Sequence, residues 1–158
     1  MAPLKEIVFE RTYEASLAEV WQAWTDPAIL PEWWGPNGVT IPECNVDLRV
    51  GGIFWIVMEA GAAMGPYAGT RWPMRATYTV VEPQTRLAYN ARAWTEGKEA
   101  TTEIDQVTEL SLSESNGTVT IRLLARINST GPDARMAVQG MEYGFNQQLD
   151  KLTSLLAK

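Results

Sequence analysis

The sequence predicts an α+β domain in which one antiparallel sheet is covered by a long C-terminal helix. Three observations carry this. Period-two alternation recurs in seven segments separated by turn residues, two helix-start signals fall between the first segment and the second, and the chain beyond residue 133 switches to steps of three and four. The 158 residues read as one domain spanning 1–158, with no internal repeat, low-complexity tract or linker.

The first strand is read in KEIVFERTYE, residues 5–14, where Ile7, Phe9 and Tyr13 alternate with a mostly polar face. Ser16 followed by Glu19 forms a capping box, and Leu17, Val20, Trp21 and Trp24 then recur at helical spacing. Asp26 before Pro27 is a second start signal, so a second short helix is expected to end near Trp34. Strands follow near 39–48, 52–60, 70–81, 86–94, 102–113 and 118–128, with turns at Gly51-Gly52, at 82–85 and at Ser115-Asn116-Gly117. After STGPD, the residues Ala134, Val138, Met141, Phe145, Leu149, Leu152 and Leu156 form one stripe, which predicts a helix of about 25 residues. Gly140 and Gly144 lie one turn apart in it, and close approach of the sheet backbone is the expected compensation for their poor helix propensity.

Composition narrows the chemistry. The chain contains no histidine, which removes histidine-based triads, the HExxH zinc motif and two-histidine iron sites together. Cys44 is the single cysteine and reads as a spectator, so no internal disulfide is expected. A net charge of −6 with scattered basic residues argues against nucleic acid and anionic membranes as partners. No segment looks like a signal peptide or a membrane span, so a cytoplasmic location without membrane insertion is expected. No metal and no cofactor is expected.

Four strings, EVWQAWTDPAILPEWWGPNGVTIP at 19–42, VDLRVGG at 46–52, VVEPQTRLAY at 80–89 and GFNQQLDKL at 144–152, resemble in order and spacing the SRPBCC (START-like, Bet v 1-like) superfamily. The resemblance is to the bacterial branch related to the C-terminal domain of the activator of the heat-shock-protein-90 ATPase. It implies a helix-grip fold: a curved seven-stranded sheet around the C-terminal helix, with a cavity between them. It also implies that Trp33 and Trp34 pack near one end of that cavity, although both are equally readable as plain core anchors. Phe145 stands where the resemblance leads one to expect tryptophan, and Ile53 and Trp55 stand at positions often polar in the family.

Choosing on each strand the side opposite the polar one gives the candidate lining. It comprises Phe54, Ile56 and Met58; Trp72, Met74, Ala76, Tyr78 and Val80; Leu87, Tyr89 and Ala91; and Ile104, Gln106, Thr108, Leu110 and Leu112. With Trp34 at one end and Met141, Phe145 and Leu149 on the helix, the proposed lining is apolar and aromatic with a few hydrogen-bonding groups. No carboxylate falls on the inward side, and Glu59 and Glu82 read as solvated. GAAMGPYAG at 61–69 is either a gate carrying Met64 and Tyr67 or a plain hairpin loop. The opposite strip of Ile53, Trp55 and Val57 suggests a partner surface, most simply a homodimer.

The leading expectation is a non-catalytic protein that binds a small hydrophobic, lipid-like molecule. One rival is an enzyme resembling polyketide cyclases and aromatases, which would need a working pair such as Tyr78 with Tyr89. The other, ranked lower, is a co-chaperone acting on a heat-shock ATPase.

Overall fold

The computed structural model describes residues 3–157. Strand β1 (Lys5–Tyr13) leads to helix α1 (Leu17–Thr25), which begins with the capping box read in the sequence. The Glu19 N–H donates to Ser16 Oγ and the Ser16 N–H to Glu19 Oε1, each at 3.1 Å. Asp26 closes α1, and its carboxylate accepts from the Ala28 N–H at 2.8 Å. The expected second helix shrinks to one 3-10 turn, Leu30–Glu32. The reason lies in Pro31, which has no N–H to donate four residues back and whose ring crowds that carbonyl.

The sheet then builds up through β2 (Val39–Val46), β3 (Ile53–Ala60), β4 (Arg71–Glu82), β5 (Arg86–Ala93), β6 (Ile104–Ser115) and β7 (Thr118–Thr130). All neighbouring strands are antiparallel, in the order β1-β7-β6-β5-β4-β3-β2. The six later strands form a meander, and β1 joins by pairing with the last of them. Asn116 and Gly117 both hold positive φ, as the tight β6–β7 turn requires. The four-residue helix α2 (Glu99–Thr102), which the sequence reading did not include, precedes β6.

The C-terminal stripe is helical but not continuous. A 3-10 turn, Pro132–Ala134, and helix α3 (Arg135–Gln139) come before α4 (Met141–Leu156), with the break at Gly140. Gly144 does not meet the sheet backbone: a Cβ there would contact the Pro36 side chain at 3.8 Å. Leu149, Leu152 and Leu156 of α4 are buried with the apolar sheet residues, which gives the α+β helix-grip arrangement expected from the sequence.

Two strand assignments need correction. A bulge between Tyr78 and Val80 shifts the register of β4, so that Val81 pairs with Leu87 and packs against the core in place of Val80. On β3, Val57 keeps the outward side but is not free to meet a second copy, because it is 1% exposed within the single chain. Its cross-strand partners are Glu43 and Pro73. Next to it, the Trp55 ring lies 6.0 Å from that of Trp94 and its indole N–H donates to Glu43 Oε1 at 3.2 Å. Intrachain contacts therefore use much of the face assigned to a second copy.

Candidate functional site: an apolar cavity beside the C-terminal helix

A relay of aromatic rings leads from α1 to the sheet. Trp24 meets Trp33 edge-on at 4.7 Å, Trp33 meets Trp34 at 5.6 Å, and Trp34 meets Phe54 of β3 at 5.5 Å. Phe54 continues to Tyr78 at 6.0 Å and to Tyr89 at 5.6 Å. The two adjacent tryptophans thus have different tasks. Trp33 is fully buried and its indole N–H donates to the Ala23 carbonyl at 2.9 Å, anchoring the segment to α1. Trp34 carries the relay to the sheet, and its other side borders a cavity.

That cavity has a volume of about 370 Å³. The sheet contributes Ile56, Met58, Trp72, Met74, Ile104 and Gln106, and the Trp-Trp-Gly-Pro segment contributes Trp34 and Pro36. Met141, Phe145 and Gln148 of α4 line the helix side, joined by Gly140 and Gly144. Ala137 of α3, Thr102 of α2, Trp94 after β5 and Met64 of the 61–69 segment complete much of the rim. Met64 therefore borders the cavity, whereas Tyr67 is 60% exposed and does not.

Nine of the candidate residues come together here: Trp34, Ile56, Met58, Trp72, Met74, Ile104, Gln106, Met141 and Phe145. Phe54, Tyr78, Tyr89, Thr108 and Leu149 lie instead in the adjoining solid core. Burial pushes both tyrosine hydroxyls well above their ordinary range, so they are neutral and poor bases. Cys44 is half-buried, and desolvation followed by the nearby Asp26 charge pushes its thiol up to about 11, a protonated and unreactive state. Glu59 and Glu82 sit at strand ends facing Arg71 and Arg86 at 3.7 and 3.8 Å.

Gln148 is one of several lining residues that the sequence reading passed over, with Pro36, Trp94, Thr102, Asp133 and Ala137 among the others. It shares the helical row of Gly144 and Leu152, and that row was the available signal, since a polar side chain between two inward positions faces inward too. Its Oε1 accepts from the Gly35 N–H at 2.8 Å. Three residues further on, Lys151 donates to the carbonyls of Trp34 and Pro36, and Gln147 Oε1 accepts from the Asn37 N–H at 3.0 Å, so α4 grips this segment by three side chains.

Among the charged side chains of the described residues, only Asp133 lines the cavity. The site can hold an apolar body and offer it a small number of hydrogen bonds, with the Asp133 carboxylate at its border. No helix among the described residues is long and apolar enough to cross a membrane.

The profile of the family described as Activator of Hsp90 ATPase homolog 1-like protein matches residues 14–157. Among solved structures, a protein from Chromobacterium violaceum superposes with a TM-score of 0.78 at 22% identity, over 97% of each chain. The AHSA1 protein from Silicibacter pomeroyi gives 0.71 at 24% identity, over 97% of this chain and 98% of that one. The solution structure of a protein from Arthrobacter aurescens gives 0.77 at 20% identity, over 96% and 86%. At these identities the likeness is one of fold. No curated protein matches the chain.

Proposed function

This chain belongs to the Activator of Hsp90 ATPase homolog 1-like family, and from that premise we propose that it encloses a small hydrophobic molecule between its sheet and its C-terminal helix, in the cytoplasm. One observation carries the proposal: the cavity of about 370 Å³, within the size range of small-molecule pockets, is lined by methionine, tryptophan, isoleucine and phenylalanine with one charged residue, Asp133. An apolar hollow of this kind disfavours water and favours an apolar guest. A guest hiding roughly 300 Å² of apolar surface gains about 7 kcal/mol before ordering costs, which corresponds to micromolar-to-millimolar dissociation constants.

Two further points favour binding over catalysis. Tyr78 and Tyr89, the pair a cyclase-like reaction would draw on, lie outside the lining, and burial raises both hydroxyls further from a working range. The family description by itself does not choose an activity, because one fold hosts many.

The test is native mass spectrometry of freshly purified protein, followed by denaturing extraction, and titration of any bare fraction with Nile red. The expected result is a stoichiometric apolar adduct, or saturable one-to-one binding of the dye. A bare protein that leaves Nile red dark would count against the proposal.

A further inference from the structure

Asp133, the one charged residue of the lining, is exposed, and its carboxylate has neither a hydrogen bond nor an ion pair among the described residues. The cations nearest to it along the chain do not offset it. Lys98 is not part of the lining, and Arg135 lies against a separate hollow with Leu4 and Pro132. Backbone contacts lead from this acid to two of the three tryptophans that border the cavity. The turn that carries Asp133 is fastened to α2, because the Gly131 N–H donates to the Glu103 carbonyl at 2.7 Å and a Cβ on Gly131 would collide with the Thr101 carbonyl. Thr102 of α2 accepts from the Thr95 N–H at 2.8 Å, and the Trp94 N–H donates to the Pro73 carbonyl at 3.1 Å, next to Trp72. An unpaired carboxylate and the side chains of Trp72 and Trp94 thus border one hollow to which no lysine or arginine of the described residues contributes.

We propose that Asp133 selects the guest by charge, so that the cavity takes a hydrophobic cation: an amine or quaternary ammonium head on an apolar body. This rests on the ligand-binding reading above and narrows it to a chemical class. The carboxylate attracts a positive head, and indole faces favour one through their quadrupole. The border position matters, because an ammonium held there keeps part of its hydration while only the apolar body leaves water. A carboxylate guest would meet like charge at the same place, with no cation to replace the hydration it loses. An exposed ion pair contributes little, so the preference is several-fold rather than absolute.

The experiment uses two probes that differ in one group, naphthylmethylamine, a cation at neutral pH, and naphthylmethanol. Each is titrated by calorimetry at low salt into the wild-type protein, Asp133→Asn and Glu114→Gln. Glu114 is an exposed acid at the end of β6, outside the lining, and its removal reports the pull of the chain's overall charge of −6. The quantity read is the amine-to-alcohol affinity ratio, whose change between proteins is free of each probe's own cost of leaving water. That ratio is expected to fall about fivefold in Asp133→Asn and to hold in Glu114→Gln, with alcohol binding little changed in either. A ratio that Asp133→Asn leaves unchanged, or that both variants lower equally, overturns the assignment to Asp133 but leaves the cavity reading standing. Binding of the alcohol without the amine does the same. Failure of both probes to bind the wild type overturns both. Asp133→Ser is the second neutral variant, read in the same way should Asp133→Asn not fold.

Discussion

The Lys151 ammonium donates to the Trp34 carbonyl at 3.2 Å across 117 positions of sequence, and to that of Pro36 at 3.4 Å. This latch holds α4 against the segment that carries the aromatic relay to the sheet. Partial burial lowers the ammonium's pKa, so the latch is made at some desolvation cost. Lys151→Met keeps the aliphatic stem and removes the donor. It is expected to lose about 1–2 kcal/mol in urea unfolding, with unchanged slope.

The neighbouring tryptophans are expected to separate by substitution. Trp33→Ala empties a fully buried site in contact with Trp24 and should cost about 3–5 kcal/mol. Trp34→Phe keeps an aromatic ring in the relay but enlarges the cavity that Trp34 borders. Its stability loss should be smaller, and its effect should show as altered Nile red affinity or emission wavelength.

Two glycines should respond to alanine in opposite directions. Gly35 has φ +81°, and a Cβ would lie 2.7 Å from Val39 Cγ2 and 2.8 Å from Met58 Sδ. Gly35→Ala should therefore destabilise by about 1–3 kcal/mol. Gly144 sits inside α4, where the added methyl makes an ordinary 3.8 Å contact with Pro36, so Gly144→Ala should stabilise by about 0.5–1 kcal/mol. Thermal melts of the two variants check both signs.

Stability is expected to be flat between pH 6 and 8, since the chain has no histidine, and to fall on the alkaline side. Burial raises Tyr13, Tyr78 and Tyr89 above 10.0, and Cys44 from 9.0 to about 11. The folded chain therefore keeps protons that the unfolded chain gives up. The stability from these groups is complete below pH 9, begins to fall as Cys44 titrates in the unfolded chain, and falls more steeply above pH 10. Each buried tyrosine contributes at most about 1.4 kcal/mol per pH unit. Lys151, shifted down from 10.5, opposes this as one group against four. Tyr78→Phe should flatten the alkaline limb at little cost at pH 7, because the hydroxyl it removes is buried without a partner. Urea midpoints measured across pH 6–11 provide the check.

How far the sequence could be read depends on what each pattern encodes. On β6, Ile104, Gln106, Thr108, Leu110 and Leu112 are all buried, as the alternation says, because one face is solvated and period two has a single solution there. Parity names the face but not the end of the sheet, which is why Tyr78, Tyr89 and Thr108 share that face with Gln106 yet sit in solid core. The bulge at Thr79 left no mark, since Val80 and Val81 are interchangeable in composition. Nor did the break at Gly140, where the apolar steps run on across a residue that leaves the helix. Gln148 was hidden by its own polarity, because the stripe of a helix is traced through its apolar residues and steps over a glutamine between them.

The arrangement of strands and helix also bears on how the chain acquires its fold. Helix α4 comes after every strand in chain order, and β1 has β7 as its one strand neighbour, with Lys5 opposite Ile127. A chain emerging from its N-terminus therefore carries β1 unpaired until β7 arrives, and an uncovered apolar sheet face until α4 arrives. Its folding must be late and slow, governed by contacts more than a hundred residues apart. Between synthesis and completion, the surface that later lines the cavity is open to other chains.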